Sequence, residues 1–280
     1  MTSNRPIQPP LLHFPQWQGS GLTNEVQIGV QTLRDYFHET TALSVQLSFG
    51  PLTRLHNIIA YQPLLTQLQN AKNLLEQNQP EKLVLIAGDC AAEVAPVDYL
   101  NKLYGEQLTI VWLDAHGDLN TPESSESGHF HGMPLRLLLD GEFGGTNMKV
   151  SSPIESSQVL LAGLRDLDTP ENTFISENSI PVFTDIINWK QQLLDKLLER
   201  NTKYLYIHLD LDVLDPDIFP AVKCPSPNGF NPKTVAKFIQ QAINDYDVIG
   251  LSLTETIAET QQQLEPIEDI LGVYKNYLTS

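Results

Sequence analysis

The chain has 280 residues, and 41% of them are hydrophobic, which is enough for a sizeable core and argues against global disorder. Its 17 Lys and Arg stand against 34 Asp and Glu, and this net charge of −17 disfavours non-specific binding to nucleic acid or anionic membranes. The apolar runs are too short to predict a transmembrane helix, and the N-terminus does not have the pattern of a secretion signal. Two cysteines exclude a disulfide scaffold and predict a cytoplasmic protein.

In chain order, the first 21 residues or so are rich in proline and polar side chains and predict an irregular lead-in. Apolar runs then alternate with amphipathic stretches. Five runs are short, nearly continuous and bounded by polar residues, which is typical of strands buried on both faces. These runs cover residues 82–89, 108–116, 158–166, 204–212 and 248–256.

The segments between these runs have helical periodicity. One apolar stripe precedes the first run, a second follows Trp189, and a third lies before the last run. Asn231 is placed to cap the third helix, with Pro232 at its first position. The stripes are Leu64, Leu68, Ala71 and Leu75; Leu193, Leu194, Leu197 and Leu198; and Val235, Phe238, Ile239, Ala242 and Ile243. Strands that alternate with helices predict a single α/β domain over residues 1–280, with a parallel sheet covered on both faces.

Acidic residues follow the predicted strands. Four of the five runs end in carboxylates, and the remaining one ends in Arg165 and Asp166. Because parallel strands end at one edge of a sheet, these side chains are expected to crowd together, and such crowding calls for a bound cation. The residues concerned are Asp89, Asp114, His116, Asp118, Asp166, Asp210, Asp212 and Glu255.

The spacing of these residues sharpens the metal hypothesis. Asp114, His116 and Asp118 alternate along the chain, so an extended backbone directs all three to one site. Asp210 and Asp212 repeat the alternation on another strand. Four carboxylates and one imidazole form a site of mostly oxygen ligands, with room for more than one divalent ion. This mixture suits manganese better than zinc, which prefers more nitrogen or sulfur.

Four segments, WLDAHGDLN, FHGMP, GLRDLDTPE and HLDLDVLDP, resemble signature segments of the arginase (ureohydrolase) family, which includes arginases and agmatinases. The resemblance runs in order from about Glu81 to Glu255. It implies a three-layer α/β/α sandwich around a mainly parallel sheet. It also implies hydrolysis of a guanidino compound to urea and an amine, by a hydroxide that bridges two manganese ions. Family members often assemble as trimers or hexamers, so a homo-oligomer is expected.

The resemblance also assigns metal ligands. Asp114 and Asp210 resemble the ligands that bridge the two ions. Asp118 resembles a ligand of the first ion, and His116 and Asp212 resemble ligands of the second ion.

One position departs from the family pattern. Cys90 stands where family members usually have a histidine ligand of the first ion. Its thiol is interpreted as a softer ligand of a weakened or altered site, as a redox switch, or as an inert buried group. Cys224 lies in another segment near the expected site, and a redox or metal-mediated influence between the two cysteines is a hypothesis. His129 and His208 are expected to be structural or incidental.

The catalytic set implied by the resemblance consists of Asp118, His131 and Glu255. His131 matches the histidine that passes protons to the leaving amine, and an imidazole titrates in the useful pH range. Glu255 matches the carboxylate that holds the positively charged guanidinium group beside the hydroxide.

Four residues match positions that hold the substrate in arginases. Asn120 and Ser127 match those that bind the α-carboxylate of arginine, and Asp168 and Glu171 match those that meet its α-ammonium group. The alternative for Asp168 and Glu171 is that they only cap a helix beginning near Pro170. Agmatine has no α-carboxylate, so this set favours an amino acid as the substrate.

The sequence therefore predicts a metal-dependent hydrolase with a small guanidino substrate, which converts L-arginine to L-ornithine and urea. Two alternatives stay open. One is a different ureohydrolase that acts on agmatine, guanidinobutyrate or a formimino compound. The other is a metal-poor, catalytically weak homologue with a binding or regulatory role, which the cysteine at position 90 keeps open.

Overall fold

The computed structural model describes residues 8–38 and 42–280. Within them, eight strands form one sheet in which every neighbouring pair is parallel. The strands are β1 (Leu11–Phe14), β2 (Leu43–Ser44), β3 (Leu83–Ala87), β4 (Leu108–Leu113), β5 (Val159–Ala162), β6 (Val182–Phe183), β7 (Tyr204–Leu209) and β8 (Asp247–Leu253). Their order across the sheet is β2-β1-β3-β8-β7-β4-β5-β6.

Helices cover both faces of the sheet, so the predicted three-layer α/β/α sandwich is confirmed. The side chains of the central strands alternate between two cores. Val111 and Leu113 enter the core packed by α1, α6, α7 and α8, whereas Ile110 and Trp112 enter the core on the other face. The helices are α1 (Glu25–Phe37), α2 (Tyr61–Asn78), α3 (Val94–Tyr104), α4 (Pro134–Asp140), α5 (Thr169–Glu177), α6 (Trp189–Glu199), α7 (Pro232–Asp245) and α8 (Glu268–Thr279). None of these described helices is long and apolar enough to cross a lipid bilayer.

All five predicted strands and the three predicted helix stripes are present in the structure. Asn231 caps α7 as predicted, because its side chain accepts a hydrogen bond from the backbone N–H of Lys233 at 2.9 Å. The prediction was wrong for one residue of the α6 stripe. Leu198 is 74% exposed, since it lies beside the buried face of Leu193, Leu194 and Leu197 rather than on it.

The predicted irregular lead-in was also wrong in part, because β1 lies inside it. Its four residues pair with β3 on one side and with β2 on the other. A run of four residues is too short to stand out by periodicity, and its strand conformation depends on partners that lie distant in sequence. Residues 1–7 of the lead-in lie outside the described residues.

The strand order places the ends of four strands side by side. β3, β8, β7 and β4 are consecutive neighbours, and all of them end at the same edge of the sheet. The loops that follow these strands carry Asp89 and Cys90, Glu255, Asp210 and Asp114 respectively. This edge therefore collects the acidic residues of four segments that are far apart in sequence.

Candidate metal centre and active-site cavity

Strand register sets the geometry of this edge. Trp112 of β4 is the register partner of His208 of β7, and Asp210 forms a bridge with Thr254, directly after β8. Asp114 lies two residues beyond Trp112, and Trp112 Nε1 donates a hydrogen bond to its Oδ2 at 3.2 Å. The alternation of side chains along strands thus brings the two aspartates to the same end of the sheet.

Two groups of side chains at this edge can hold a metal ion. In each group, ligand atoms of all members lie within 4.8 Å of one another. We call the first the open group; its members are Asp114, His116 and Asp212. His116 Nδ1 lies 2.9 Å from Asp212 Oδ2 and 3.5 Å from Asp114 Oδ1. The imidazole is 29% exposed, so this group is accessible from the surface.

The second group, which we call the buried group, consists of Cys90, Asp114, His208 and Asp210. The Cys90 thiol donates a hydrogen bond to Asp210 Oδ2 at 2.9 Å, and its Sγ lies 3.6 Å from His208 Nε2. Asp114 belongs to both groups, so the two groups share one possible ligand. All four residues are buried.

His208 was expected from the sequence to be structural or incidental, and the structure places it among possible metal ligands. It lies inside the buried group, with Nε2 3.8 Å from Asp114 Oδ2. The signal that identifies it is the alternation His208, Asp210, Asp212 through the end of β7, because the first two point to the same face of the strand. The sequence interpretation used this spacing only for the two aspartates.

Asp118 does not belong to either group of the described residues. Its Oδ2 is buried and lacks a hydrogen-bond partner, and so does Oε2 of Glu255. Both residues have a left-handed backbone, with φ of 54° for Asp118 and 63° for Glu255. That conformation costs roughly 1–3 kcal/mol in a residue with a side chain and often marks a functional site. Buried carboxylate oxygens without protein partners require a cation or another donor, which fits a metal centre.

The electrostatics of the two groups reflect this crowding of carboxylates. Burial, and then the negative charge of Asp114, raise the pKa of Asp212 to about 6. Burial, and then the charges of Asp212 and Asp114, raise the pKa of Asp210 well above its usual value. A bound cation relieves this repulsion and lets all the carboxylates ionise. The donor set therefore fits divalent ions.

His131 and Glu255 form a pair beside the metal groups. His131 Nδ1 lies 3.0 Å from Glu255 Oε1, and the same oxygen accepts a hydrogen bond from the backbone N–H of Cys90 at 3.2 Å. Burial by itself lowers the pKa of His131, but the charge and hydrogen bond of Glu255 outweigh burial, and the net pKa is raised. The other carboxylate oxygen of Glu255, Oε2, has no hydrogen-bond partner among the described residues.

A buried aspartate connects this pair to the N-terminal segment, a role that sequence reasoning missed. Asp89 accepts hydrogen bonds from Gln16 Nε2 and from the backbone N–H of Gly19, both at 2.8 Å. A Cβ at Gly19 would lie 2.7 Å from the Asp89 carboxylate, so the close approach requires glycine. Gly19 in turn accepts a hydrogen bond from the backbone N–H of His131 at 3.1 Å. No motif in the lead-in indicates this connection.

A cavity of about 330 Å³ opens over the open group. The four predicted substrate residues, Asn120, Ser127, Asp168 and Glu171, all line it, together with His116, Asp118, His131 and Cys224. Asn120 Nδ2 donates a hydrogen bond to Asp168 Oδ2 at 2.9 Å, so the two side chains form one polar wall.

Asp168 and Glu171 also cap a helix, as the alternative interpretation proposed. They form a capping box at the start of α5, and Glu171 accepts a hydrogen bond from the backbone N–H of Asp168 at 2.9 Å. Glu171 Oε1 accepts another from the backbone N–H of Leu119 at 3.0 Å. The cap fixes both carboxylates, so lining a cavity and capping a helix are compatible.

The cysteines occupy different surroundings, and both are free. Cys90 is buried in the buried group, whereas Cys224 lines the cavity and is half-buried. Burial raises the pKa of Cys224 to about 12, so its thiol is a poor nucleophile at neutral pH. The hypothesis of a redox coupling between the two stays a hypothesis.

This geometry can be compared with known proteins. The arginase family model matches residues 26–264. The chain belongs to the arginase family. Over 141 residues this arginase-family chain is 38% identical to an arginase from Staphylococcus aureus (strain COL), a match that covers 48% of this chain and 46% of that arginase. The chain spans about half the length of that curated relative.

Solved structures confirm the fold of this arginase-family chain. The structure of arginase from Bacillus caldovelox matches with a TM-score of 0.81 and 22% identity, over 98% of this chain and 99% of that one. A formimidoylglutamase from Bacillus subtilis subsp. subtilis str. 168 matches with a TM-score of 0.72 and 16% identity, over 98% of this chain and 89% of that one. The same fold therefore accompanies more than one named activity.

Proposed function

We propose that the chain is a ureohydrolase that hydrolyses the guanidino group of L-arginine to give L-ornithine and urea. The observation that carries this proposal is the free carboxylate oxygen of Glu255. Its Oε2 is buried, has no hydrogen-bond partner among the described residues, and belongs to the carboxylate that pairs with His131. A guanidinium N–H beside the metal groups would satisfy this oxygen and neutralise its charge.

Divalent ions in the open and buried groups would supply a hydroxide nucleophile at neutral pH, because bound water has a lowered pKa. The residues of the chain do the remaining work. Glu255 orients the guanidinium carbon toward the metal groups, and His131 delivers a proton to the leaving amine. The contact between His131 and Glu255 keeps the imidazole at the base of the cavity. Asp118 supplies a further carboxylate to the metal centre, which its unpartnered Oδ2 supports.

The choice of arginine rests on the polar wall of the cavity. Asn120 and Ser127 offer an amide and a hydroxyl to a carboxylate, and Asp168 with Glu171 offers negative charge to an ammonium group. An α-amino acid presents both groups, whereas agmatine presents only an amine-bearing chain. The match to a formimidoylglutamase supports a formimino substrate as the second candidate, since its fold is shared.

We propose manganese as the ion of the oxygen-rich open group. A cytoplasmic location is supported by two free cysteines, and a trimer or hexamer is proposed from the family resemblance alone. A metal-poor homologue with a binding role is the contrasting candidate.

The test is urea release from arginine and agmatine, and ammonia or formamide release from a formimino amino acid. Each reaction is run with Mn²⁺, Co²⁺, Ni²⁺ or Fe²⁺ present, after the bound metal has been measured. Turnover of arginine is expected to exceed that of agmatine. An Asn120→Ala variant is expected to raise KM for arginine by roughly tenfold, since one hydrogen bond to a charged group is lost, and to leave KM for agmatine unchanged. Absence of all turnover with at most one bound ion would favour the binding homologue.

A further inference from the structure

The buried group contains a histidine whose outer nitrogen is already fixed by a carboxylate. His208 Nδ1 lies 3.0 Å from Glu93 Oε1 and 3.3 Å from Ser252 Oγ. Glu93 and His208 are both completely buried. Because Nδ1 lies within hydrogen-bond distance of a carboxylate oxygen, the neutral imidazole places its proton on Nδ1 and presents the lone pair of Nε2 to the buried group. A carboxylate behind an imidazole is the arrangement by which proteins orient histidine ligands of metals.

This carboxylate is itself held in place. The Tyr206 hydroxyl donates a hydrogen bond to Glu93 Oε2, and Tyr206 and His208 lie on the same face of β7. Gly250 on β8 makes room for the Tyr206 ring, because a Cβ there would lie 2.1 Å from a ring carbon. Trp112 covers the His208 ring, with a distance of 3.8 Å between ring centroids. The imidazole therefore has one position, and that position faces Cys90 and Asp114.

The distances suit a small tetrahedral site. A tetrahedron with metal–ligand bonds of about 2.0–2.3 Å has edges of about 3.3–3.8 Å. His208 Nε2 lies 3.6 Å from Cys90 Sγ and 3.8 Å from Asp114 Oδ2. The 2.9 Å hydrogen bond from Cys90 to Asp210 has to open by several tenths of an ångström. The unpartnered Oδ2 of Asp118 is a separate sign that this end of the sheet is built for a cation.

We propose that His208, oriented by Glu93, is a metal ligand of this chain, and that Cys90, Asp114, His208 and Asp210 select a borderline ion such as Zn²⁺, Co²⁺ or Fe²⁺ over Mn²⁺. The inference rests on the metal centre of the proposed function and deepens it. Binding breaks the Cys90 S–H bond, forms a sulfur–metal bond and releases one proton to solvent. Sulfur and nitrogen ligands favour these ions, whereas the open group keeps the harder ligands that suit manganese.

The experiment uses the full chain stripped of metal with a chelator and titrated with Co²⁺. A bond between a thiolate and cobalt gives a charge-transfer absorption in the near ultraviolet, which carboxylate and imidazole ligands do not give. We expect this band in the wild type and in Cys224→Ser, the matched control with the cavity cysteine removed. We expect its loss in Cys90→Ser. A wild type without the band, or a Cys90→Ser variant that keeps it, would overturn the sulfur ligand.

His208 is tested through Glu93 as well as directly, because a direct variant leaves a buried carboxylate unpaired. Glu93→Gln is expected to weaken binding of the first Co²⁺ equivalent by roughly 10- to 100-fold while the thiolate band is kept at saturation. His208→Asn is expected to weaken it further. Equal affinity in wild type and folded Glu93→Gln, checked by circular dichroism, would show that His208 is only a structural partner of Glu93.

Selectivity is tested by dialysis of the stripped protein against equal concentrations of Zn²⁺ and Mn²⁺, followed by metal analysis. We expect one zinc per chain, and a double variant Cys90→His with His208→Ser that retains less zinc and more manganese. A preference for manganese at both groups in the wild type contradicts the proposal.

The two proposals fail in different ways. A thiolate–cobalt band without urea release sustains the metal site and removes the ureohydrolase. Urea release from a protein that lacks the band supports the ureohydrolase and removes the proposed metal site.

Discussion

The open group and the buried group share Asp114, yet they differ in how they are built. The open group takes Asp114 and His116 from the loop after β4 and Asp212 from a short helical turn after β7, and His116 reaches the cavity with 29% of its side chain exposed. The buried group takes ligands from three strand ends, and His208 and Glu93 behind it are completely buried. The open group carries only oxygen and one nitrogen, whereas the buried group adds the sulfur of Cys90.

The two imidazoles differ in what holds their outer nitrogens. An imidazole in a dry core needs a partner for that nitrogen, and Glu93, which accepts a hydrogen bond from Tyr206, is the partner of His208. The outer nitrogen of His116, Nε2, lies 3.8 Å from Asp166 Oδ2, and that carboxylate is 72% exposed. The buried imidazole is therefore held by a dry network, whereas the imidazole of the open group faces an exposed carboxylate.

The largest expected effect comes from changing Asp114, the residue that both groups share. Asp114→Asn keeps the volume of the side chain but removes its charge, so both groups are expected to lose their ions. Urea release is expected to fall roughly a thousandfold, the equivalent of about 4 kcal/mol of transition-state stabilisation. Metal analysis and turnover check this. Glu126→Gln, which removes an equal charge from an exposed carboxylate in the same cavity, is expected to keep both ions.

The next largest expected effect is on the rate of the reaction, without a loss of bound metal. His131→Asn is expected to lower kcat by about 10²- to 10⁴-fold, because proton transfer to the leaving amine is lost. Both ions are expected to stay bound, since His131 contacts Glu255 rather than the members of either group. Steady-state kinetics and metal analysis on the same sample measure the two quantities. Loss of metal from this variant would place His131 in the metal centre instead.

The variant His116→Asn tests whether the two groups bind metal independently of each other. This change removes a ligand of the open group alone, so its affinity is expected to fall at least about tenfold. The near-ultraviolet cobalt band of the buried group is expected to persist at one equivalent. Cobalt titration followed by absorbance checks both expectations, and disappearance of the band would show that the two groups act as one unit.

The smallest expected effect is on the stability of the fold and comes from His13, a buried histidine outside both groups, with no carboxylate partner among the described residues. Burial, and then the charge of Arg34, lower the pKa of His13 to about 4, whereas a histidine in the unfolded chain has a pKa of 6.5. The unfolded state therefore binds a proton as pH falls below 6.5, and stability is lost until pH 4 is reached. Between about pH 7.5 and about pH 5 this amounts to about 2 kcal/mol.

Urea denaturation at these two pH values, with wild type and His13→Asn compared, measures that contribution. The variant is less stable at the higher pH, because a buried side chain is truncated, but it is expected to lose less stability on acidification. An identical loss in both proteins would show that His13 is protonated in the folded state. His208 differs from His13 in its neighbours. Both imidazoles are buried, but in the part of the chain that the structure describes His208 faces carboxylates and His13 does not.

Much of the fold follows from local pattern. The five buried strands and the apolar stripes of α2, α6 and α7 stand out because parallel strands and amphipathic helices have simple periods. The short strands β1, β2 and β6 do not stand out, because their conformation comes from pairing with distant segments. For the site, alternation placed Asp114 with His116 and Asp210 with Asp212, since each pair is local in sequence.

The class of fold and the edge of the sheet where the acids gather could thus be predicted from the sequence, because period-two spacing and parallel strand direction lead to them. Three members of the buried group, Cys90, Asp114 and Asp210, were also among the predicted ligands, and the structure places His208 with them. Cys90 and Glu93 come from one helical turn after β3, His208 from β7 and Ser252 from β8, and their meeting depends on the neighbouring positions of these three strands. The close approach of the Tyr206 ring to Gly250, which leaves Tyr206 in reach of Glu93, likewise depends on strand register. Strand order and register are set by packing of the whole core, so no local spacing could reveal them.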